Sequence, residues 1–226
     1  MGKRLFDICA SATGLALLSP AFAVLALLVK LDSPGPVFFR QVRVGRFGYV
    51  FRIYKFRSMR SDQSGKGLQL TVSNDARVTR IGSVLRHYKL DELPQLINVL
   101  VGDMSLVGPR PEVPKYVTMW DARTRSILLS VRPGMTDLAS IEYRNETALL
   151  NGSDNAERKY VEETAPAKNR LAIHYVENRS LLSDIKIIFR TLLVVFDWST
   201  IGGGQPRHQD RHAQRNDRAE PADPGQ

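Results

Sequence analysis

The 226-residue chain holds one cysteine, Cys9, and only four histidines. A single thiol cannot close an internal disulfide, and a lone Cys with scattered His residues offers no zinc-ligand spacing. Cys9 sits in an apolar run, where its ordinary role is that of a small buried hydrophobe. The chain has neither a P-loop nor a GxGxxG dinucleotide fingerprint, so a nucleotide is not expected to bind through those folds. Internal repeats are absent. Carboxylates are missing locally too: Ser33 to Ser61 contains seven basic residues and no acidic one. The whole chain carries a net charge of +9. That balance implies an anionic partner, whether nucleic acid, an anionic membrane surface or phosphate-bearing substrates. No nucleic-acid reading module accompanies it.

Charge of either sign is absent from Ile8 to Val29, a run about long enough to cross a bilayer as a helix. It is too long for a signal-peptide core and ends without a small-residue cleavage site. Ser19-Pro20 lies in its middle. Proline there removes a backbone hydrogen bond and crowds the preceding turn, while the Ser19 hydroxyl can bond a freed carbonyl. Lys3 and Arg4 precede the run and Lys30 follows it, so the positive-inside rule draws both ends to the cytoplasm. A helix broken at Ser19-Pro20 that enters and leaves by one face meets both demands. An ordinary kinked transmembrane helix is the alternative.

Beyond Pro34-Gly35-Pro36, a turn, Val37–Phe39 and Tyr49–Phe56 read as strands around a turn at Gly45–Gly48, a candidate hairpin. Ser61–Asp75 reads as a polar loop and Ile81–Tyr88 as a helix. Leu93, Leu96, Ile97 and Leu100 share one helical face, with Asp91 a plausible N-cap, Pro94 in the first turn and Gly102 at the end. Val107–Glu112 is a proline-stiffened turn; a helix is expected over Val113–Leu129, another turn at Val131–Gly134 and a charged helix over Ala156–Val176. Leu181–Phe196 is amphipathic and suits either a membrane interface or core packing. From Gly202 onward apolar residues nearly vanish, and disorder is expected; His208 and His212 fall there. The expected organisation is a membrane helix over 1–31, a compact α/β, helix-rich domain with a small β-hairpin over 32–201, and a tail over 202–226.

Asp91 and Glu92 are the sharpest chemical candidates. The plain reading is a helix start, where carboxylates favour the dipole. The chemical reading is that two adjacent carboxylates project differently, one to attack phosphorus and one to hold a divalent cation. Magnesium suits one or two carboxylates plus substrate phosphates. The basic residues from Arg40 to Arg60 are either a solvated face or contacts to lipid headgroups and substrate phosphates. Arg110, clamped between Pro109 and Pro111, is stiffly placed for phosphate recognition, or is a surface arginine on a turn.

Taken together, several stretches resemble the bacterial sugar transferases, specifically the small monotopic phosphoglycosyl transferases that act on polyprenol phosphate. They are Lys3–Asp7, Ser19-Pro20, Gly35–Gln41, Ile53–Arg60, Leu85-Arg86, Leu90–Leu96, Gly102–Pro111, Arg132–Thr136 and Asp184–Lys186. The likeness runs nearly to Asp197. It implies a re-entrant helix bent at Ser19-Pro20 and a catalytic domain on the cytoplasmic face of the bacterial inner membrane. It further implies that Asp91 attacks the β-phosphate of a UDP-sugar, that UMP leaves, and that polyprenol phosphate takes the sugar phosphate from the aspartate. Glu92 would coordinate Mg2+, Arg86 and Arg110 match positions near the site, and Lys55 and Arg57 are added phosphate contacts. Downstream glycosyltransferases and a second copy of the chain are the protein partners it leaves open.

One departure follows Arg132-Pro133-Gly134-Met135-Thr136. Many members carry a Gly-Trp stretch leading to Gly-Arg there, whereas this chain has Asp137 to Glu146, with Arg144 at the Gly-Arg position. The change bears on sugar specificity and not on the reaction. A glycosyltransferase moving the sugar alone would release UDP and need no nucleophilic carboxylate. A catalytically inactive membrane scaffold is the reading from another class, and the intact Asp91-Glu92 pair and Arg110 argue against it.

Overall fold

A computed structural model describes residues 2–60, 75–143 and 156–196. The sequence-expected Ser61–Asp75 loop, apart from Asp75, lies outside these residues, as do Arg144 and the 202–226 tail. Helix α1, Gly2–Asp32, contains the apolar run and continues through Pro20, in place of the expected break. Pro20 lacks the N–H that would bond the carbonyl four residues back, and the Ser19 hydroxyl donates to that same Ala16 carbonyl at 2.8 Å. The hydroxyl thus replaces the missing donor and the helical path persists. The helix also starts earlier than its apolar run. Asp7 is buried, accepts from the Leu106 amide, and so draws the charged first turns into the protein.

Both ends of α1 are tied to the same body. At the start, Lys3 pairs with Asp184 and Arg4 donates to the carbonyls of Val99 and Leu100. At the far end, Val29 packs with Phe56 and Leu85, and Asp32 accepts from the Ile81 amide. Apolar side chains between stay uncovered, with Leu17 76% and Leu27 59% exposed.

Strands β1 (Phe38–Val44) and β2 (Val50–Phe56) form an antiparallel hairpin in register from Phe38↔Phe56 to Val44↔Val50. The Arg46–Gly48 turn places Phe47 at φ 59°. Alternation puts Phe51, Ile53 and Lys55 on one face. Phe51 and Ile53 pack with Val99 and Met104, and Phe56 packs against α1, edge-on to Phe22 at 5.5 Å. Helices α2 (Arg80–His87) and α3 (Gln95–Val101) follow. Asn98, fully buried, sews α3 to β2: it accepts from the Tyr54 amide at 2.9 Å and donates to the Arg52 carbonyl at 3.0 Å.

Strand β3 (Ser105–Val107) pairs in parallel with β4 (Gly134–Thr136). The backbones cross so closely that a Cβ on Gly134 would stand 2.1 Å from the Gly108 nitrogen, which only glycine permits. The helix expected over Val113–Leu129 is two, α4 (Pro114–Val117) and α5 (Ala122–Leu128). Asp121 restarts it by accepting from the Thr124 amide at 2.9 Å, a side-chain cap that competes with continuous helix. Then come α6 (Leu138–Glu142), α7 (Ala156–Lys159), a π-turn over Tyr160–Thr164, α8 (Ala165–Asn178) and α9 (Leu181–Phe196). Ile187 of α9 joins the core of Val107, Leu128, Ala172, Tyr175 and Val176. Leu182, Ile185, Phe189, Leu192 and Leu193 remain exposed, so α9 packs by one stripe and leaves a broad apolar face uncovered.

Candidate active site

Asp91 and Glu92 do not begin the helix as a cap. They occupy a single 3-10 turn, Leu90–Glu92; α3 starts only at Gln95, behind Pro94, with no side-chain cap. The expected N-cap role of Asp91 is therefore absent, because the proline resets the helix start three residues later. Lys89 enters this turn at φ 57°, a left-handed conformation that a lysine adopts only where its surroundings enforce it.

The carboxylates have opposite surroundings. Glu92 is gripped by two cations: Lys55 Nζ donates to Oε1 at 2.6 Å and Arg110 Nη2 donates to Oε1 at 2.7 Å. Burial pushes the Glu92 carboxyl up, but Arg110 and Lys55 together hold it well below the usual carboxylate range. Asp91 is buried, and its Oδ1 has no hydrogen-bond partner. Burial raises its carboxyl, and the neighbouring Glu92 charge adds to this against the pull of Lys55. A buried acceptor left unpaired costs about 1–3 kcal/mol. Such a cost at a carboxylate with cations nearby marks Asp91 as a candidate functional group.

Secondary structure explains why the cations converge. Lys55 reaches Glu92 from the inward face of β2. Arg110 is delivered by the Gly108–Pro111 crossing: its amide donates to buried Asp137 at 3.1 Å, and Arg43 Nη1 donates to the Pro111 carbonyl at 2.9 Å. The loop is thus held from both sides. Arg86, in the last turn of α2, stands near enough to favour the charged form of Asp91, with no direct hydrogen bond between them.

Arg57 is not in this cluster. It is buried, and its guanidinium donates to the carbonyls of Val29, Ser33 and Pro36. It anchors the end of α1 to the hairpin: β2 ends at Phe56, so Arg57 lies beyond the strand, where continued alternation would have kept it on the Lys55 face and the carbonyls at the end of α1 instead capture its guanidinium. Sequence reasoning passed over Lys89 and Gln95, and took Arg43 only as one of the Arg40–Arg60 basic set. Gln95 is 1% exposed and its Nε2 has no partner, so a second unsatisfied group lies one turn beyond Asp91. Gln95 and Asn98, both buried, lie on the side of α3 away from Leu93, Leu96, Ile97 and Leu100, so helical periodicity alone gave no signal for Gln95.

The family model described as "Bacterial sugar transferase" matches residues 1–198. The chain belongs to the bacterial sugar transferase family. This sugar transferase is 41% identical over 208 residues to the exopolysaccharide production protein PSS of Rhizobium leguminosarum bv. phaseoli, covering 84% of this chain and 93% of that one. It is 40% identical to a UDP-glucose:undecaprenyl-phosphate glucose-1-phosphate transferase of Caulobacter vibrioides, covering 84% and 68% of the two chains. A UDP-N-acetylgalactosamine-undecaprenyl-phosphate N-acetylgalactosaminephosphotransferase of Aeromonas hydrophila is 39% identical, over 85% of this chain but 43% of its own. Each match covers 84–85% of this chain, a share that must include the central Asp91–Arg110 region.

Proposed function

We propose that this sugar transferase moves a sugar phosphate from a UDP-sugar to undecaprenyl phosphate at the cytoplasmic face of the bacterial inner membrane, starting a surface polysaccharide. The observation that carries the reading is the asymmetry of the carboxylate pair: Glu92 is held charged by Lys55 and Arg110 while the Asp91 oxygen is left unbonded. An unpaired, desolvated carboxylate with a raised pKa is a stronger nucleophile than a solvated one. Asp91 Oδ1 attacks the β-phosphorus, forming an aspartyl–phosphorus bond as the bond to the bridging oxygen breaks, and UMP leaves with that oxygen. A phosphate oxygen of undecaprenyl phosphate then attacks the same phosphorus and releases Asp91. Each displacement is easier than a single direct one, and Arg110, Lys55 and Arg86 offset the charge that gathers on phosphate oxygens.

The donor set also suits magnesium. Glu92 offers a carboxylate held charged beside the attacking group, and magnesium takes one or two carboxylates and completes its shell from substrate phosphates and water. Glu92 would hold the ion, exchanging a contact with Lys55 or Arg110 for it. When bound, magnesium neutralises the diphosphate and polarises the phosphoryl oxygens.

Membrane placement rests on α1. A helix of 31 residues is about 46 Å long if straight, ample for a hydrocarbon core of about 30 Å. Yet Lys3 and Asp32 at its two ends both bind the globular body. A body on one side of the membrane cannot hold both ends of a spanning helix, which supports a re-entrant path. Release of UMP from a panel of UDP-sugars, with undecaprenyl phosphate and magnesium in detergent, tests the function and selects between glucose and N-acetylated donors. Release of UDP instead would identify transfer of the sugar alone.

A further inference from the structure

A second basic cleft lies away from Asp91. It is a cavity of about 340 Å³ lined by Lys3, Arg4, Asp7, Arg46, Arg132 and Arg179. Arg4 grips the C-terminal carbonyls of α3, whereas Asp91 precedes the N-terminus of that helix, so the two sites occupy opposite ends of α3. Lys3 is neutralised by Asp184. Among the described residues the four arginines have no carboxylate within ion-pair distance; each is instead aimed by backbone carbonyls. Arg46 Nε donates to Ser130, Arg132 Nε to Gly102 and Arg179 Nη1 to Val176, all within 3.0 Å. Arg46 is further steadied over the Phe47 ring at 4.3 Å. The one carboxylate in the wall, Asp7, accepts from the Leu106 amide.

Four guanidinium groups around one cavity repel one another, and the single carboxylate in the wall, Asp7, offsets only part of that charge. Carbonyl contacts orient a guanidinium without cancelling its charge, leaving other N–H groups free for an anion. We propose that this cleft is a phosphate-binding site separate from the Asp91–Glu92 cluster, taking the phosphate of an anionic phospholipid headgroup or a free phosphate. Its position favours a headgroup. Lys3 and Asp184 join the first turns of α1 and α9, and next to them Leu5 (64%) and Leu182 (62%) are exposed. The cleft wall thus includes the charged first turn of α1, which is tied to α9 beside exposed apolar side chains of both helices, the level where lipid phosphates lie if those side chains are in the bilayer.

The test uses the full chain in detergent and the double variant Arg46→Gln/Arg179→Gln, both positions being at the surface and away from the catalytic cluster. Inorganic phosphate and short-chain phosphatidylglycerol are titrated by calorimetry, and binding to vesicles of phosphatidylcholine with and without phosphatidylglycerol is measured by flotation. A control double variant, Arg123→Gln/Arg158→Gln, removes the same charge elsewhere, and Arg110→Gln removes a cation from the other site. Each lost arginine–phosphate contact is expected to weaken binding about tenfold. The expected result is loss of phosphatidylglycerol binding in the cleft variant alone, with an unchanged thermal melt. Inorganic phosphate lost in the same variant, with no preference for the lipid, would assign the site to free phosphate. Equal loss in the charge control, or loss only in Arg110→Gln, would overturn the proposal. If Arg179→Gln perturbs the melt, Arg179→Lys, which keeps the charge, must restore the fold and part of the binding.

Discussion

Replacing Lys55 by methionine removes one cation from Glu92 and keeps an unbranched side chain on β2. The contact is 2.6 Å long and both side chains are more than four-fifths covered. A hydrogen bond to a charged partner contributes about 1.5–3 kcal/mol. Arg110 remains at 2.7 Å, so Glu92 keeps one partner and the loss falls at the lower end, about 1.5 kcal/mol. For a chain of this size that lowers Tm by about 3–6 °C. The pH sign follows from Glu92, whose folded pKa is depressed. Its stabilisation is present above the unfolded value and lost as pH falls through the folded one, so the deficit of Lys55→Met is full at neutral pH and shrinks on acidification. Asp91 responds in the other sense. Lys55 is the charge that most favours its ionised form, so the substitution raises a carboxyl that burial has already raised. Since attack requires ionised Asp91, the acid limb of the nucleotide-release rate moves to higher pH. Rate–pH profiles of wild type and Lys55→Met in detergent measure this directly. An acid limb that stays in place or moves to lower pH, in a variant that melts as expected, refutes the coupling of Lys55 to Asp91.

Other substitutions probe the scaffold. Asn98→Ala leaves the Tyr54 amide and the Arg52 carbonyl buried without partners, a loss of about 3 kcal/mol or about 6–12 °C in Tm; a change below about 1 kcal/mol would mean that water replaces the side chain. Arg57→Met should destabilise by about 2–4 kcal/mol and leave KM for the donor unchanged; a raised KM with a normal melt would return Arg57 to substrate binding. Gly2→Cys and Pro34→Cys, both at exposed positions and each in a Cys9→Ser background, should both react only with a reagent on the cytoplasmic side. Labelling of Gly2→Cys from the periplasm would make α1 a spanning helix.

Much of this fold was legible because its elements depend on local pattern. The alternation of Tyr49–Phe56 and the turn at Gly45–Gly48 place the hairpin, and Gly102, at φ 103°, ends α3 as its sequence position suggests. Boundaries shifted where a distant partner decides them: α1 gains its first turns because Asp7 meets Leu106, and β1 runs on through Arg40 and Arg43 because β2 pairs with it throughout. The site was legible as residue types and only partly as roles. Glu92, Lys55 and Arg110 do converge, but Arg57 sits two residues from Lys55 and turns to the end of α1. The unpaired state of Asp91 and Gln95 follows from how α3 packs, which no spacing reveals. The crossing of Gly108 with Gly134 explains two glycine motifs that look independent along the chain.

The most direct test of the central claim mixes purified enzyme, magnesium and a radiolabelled UDP-sugar without undecaprenyl phosphate. The account predicts a stoichiometric burst of UMP and a phosphosugar adduct on Asp91, detected by intact mass and removed when undecaprenyl phosphate is added. Asp91→Asn should give neither, while remaining membrane-bound. UDP as the released nucleotide, or full turnover by Asp91→Asn, would contradict it.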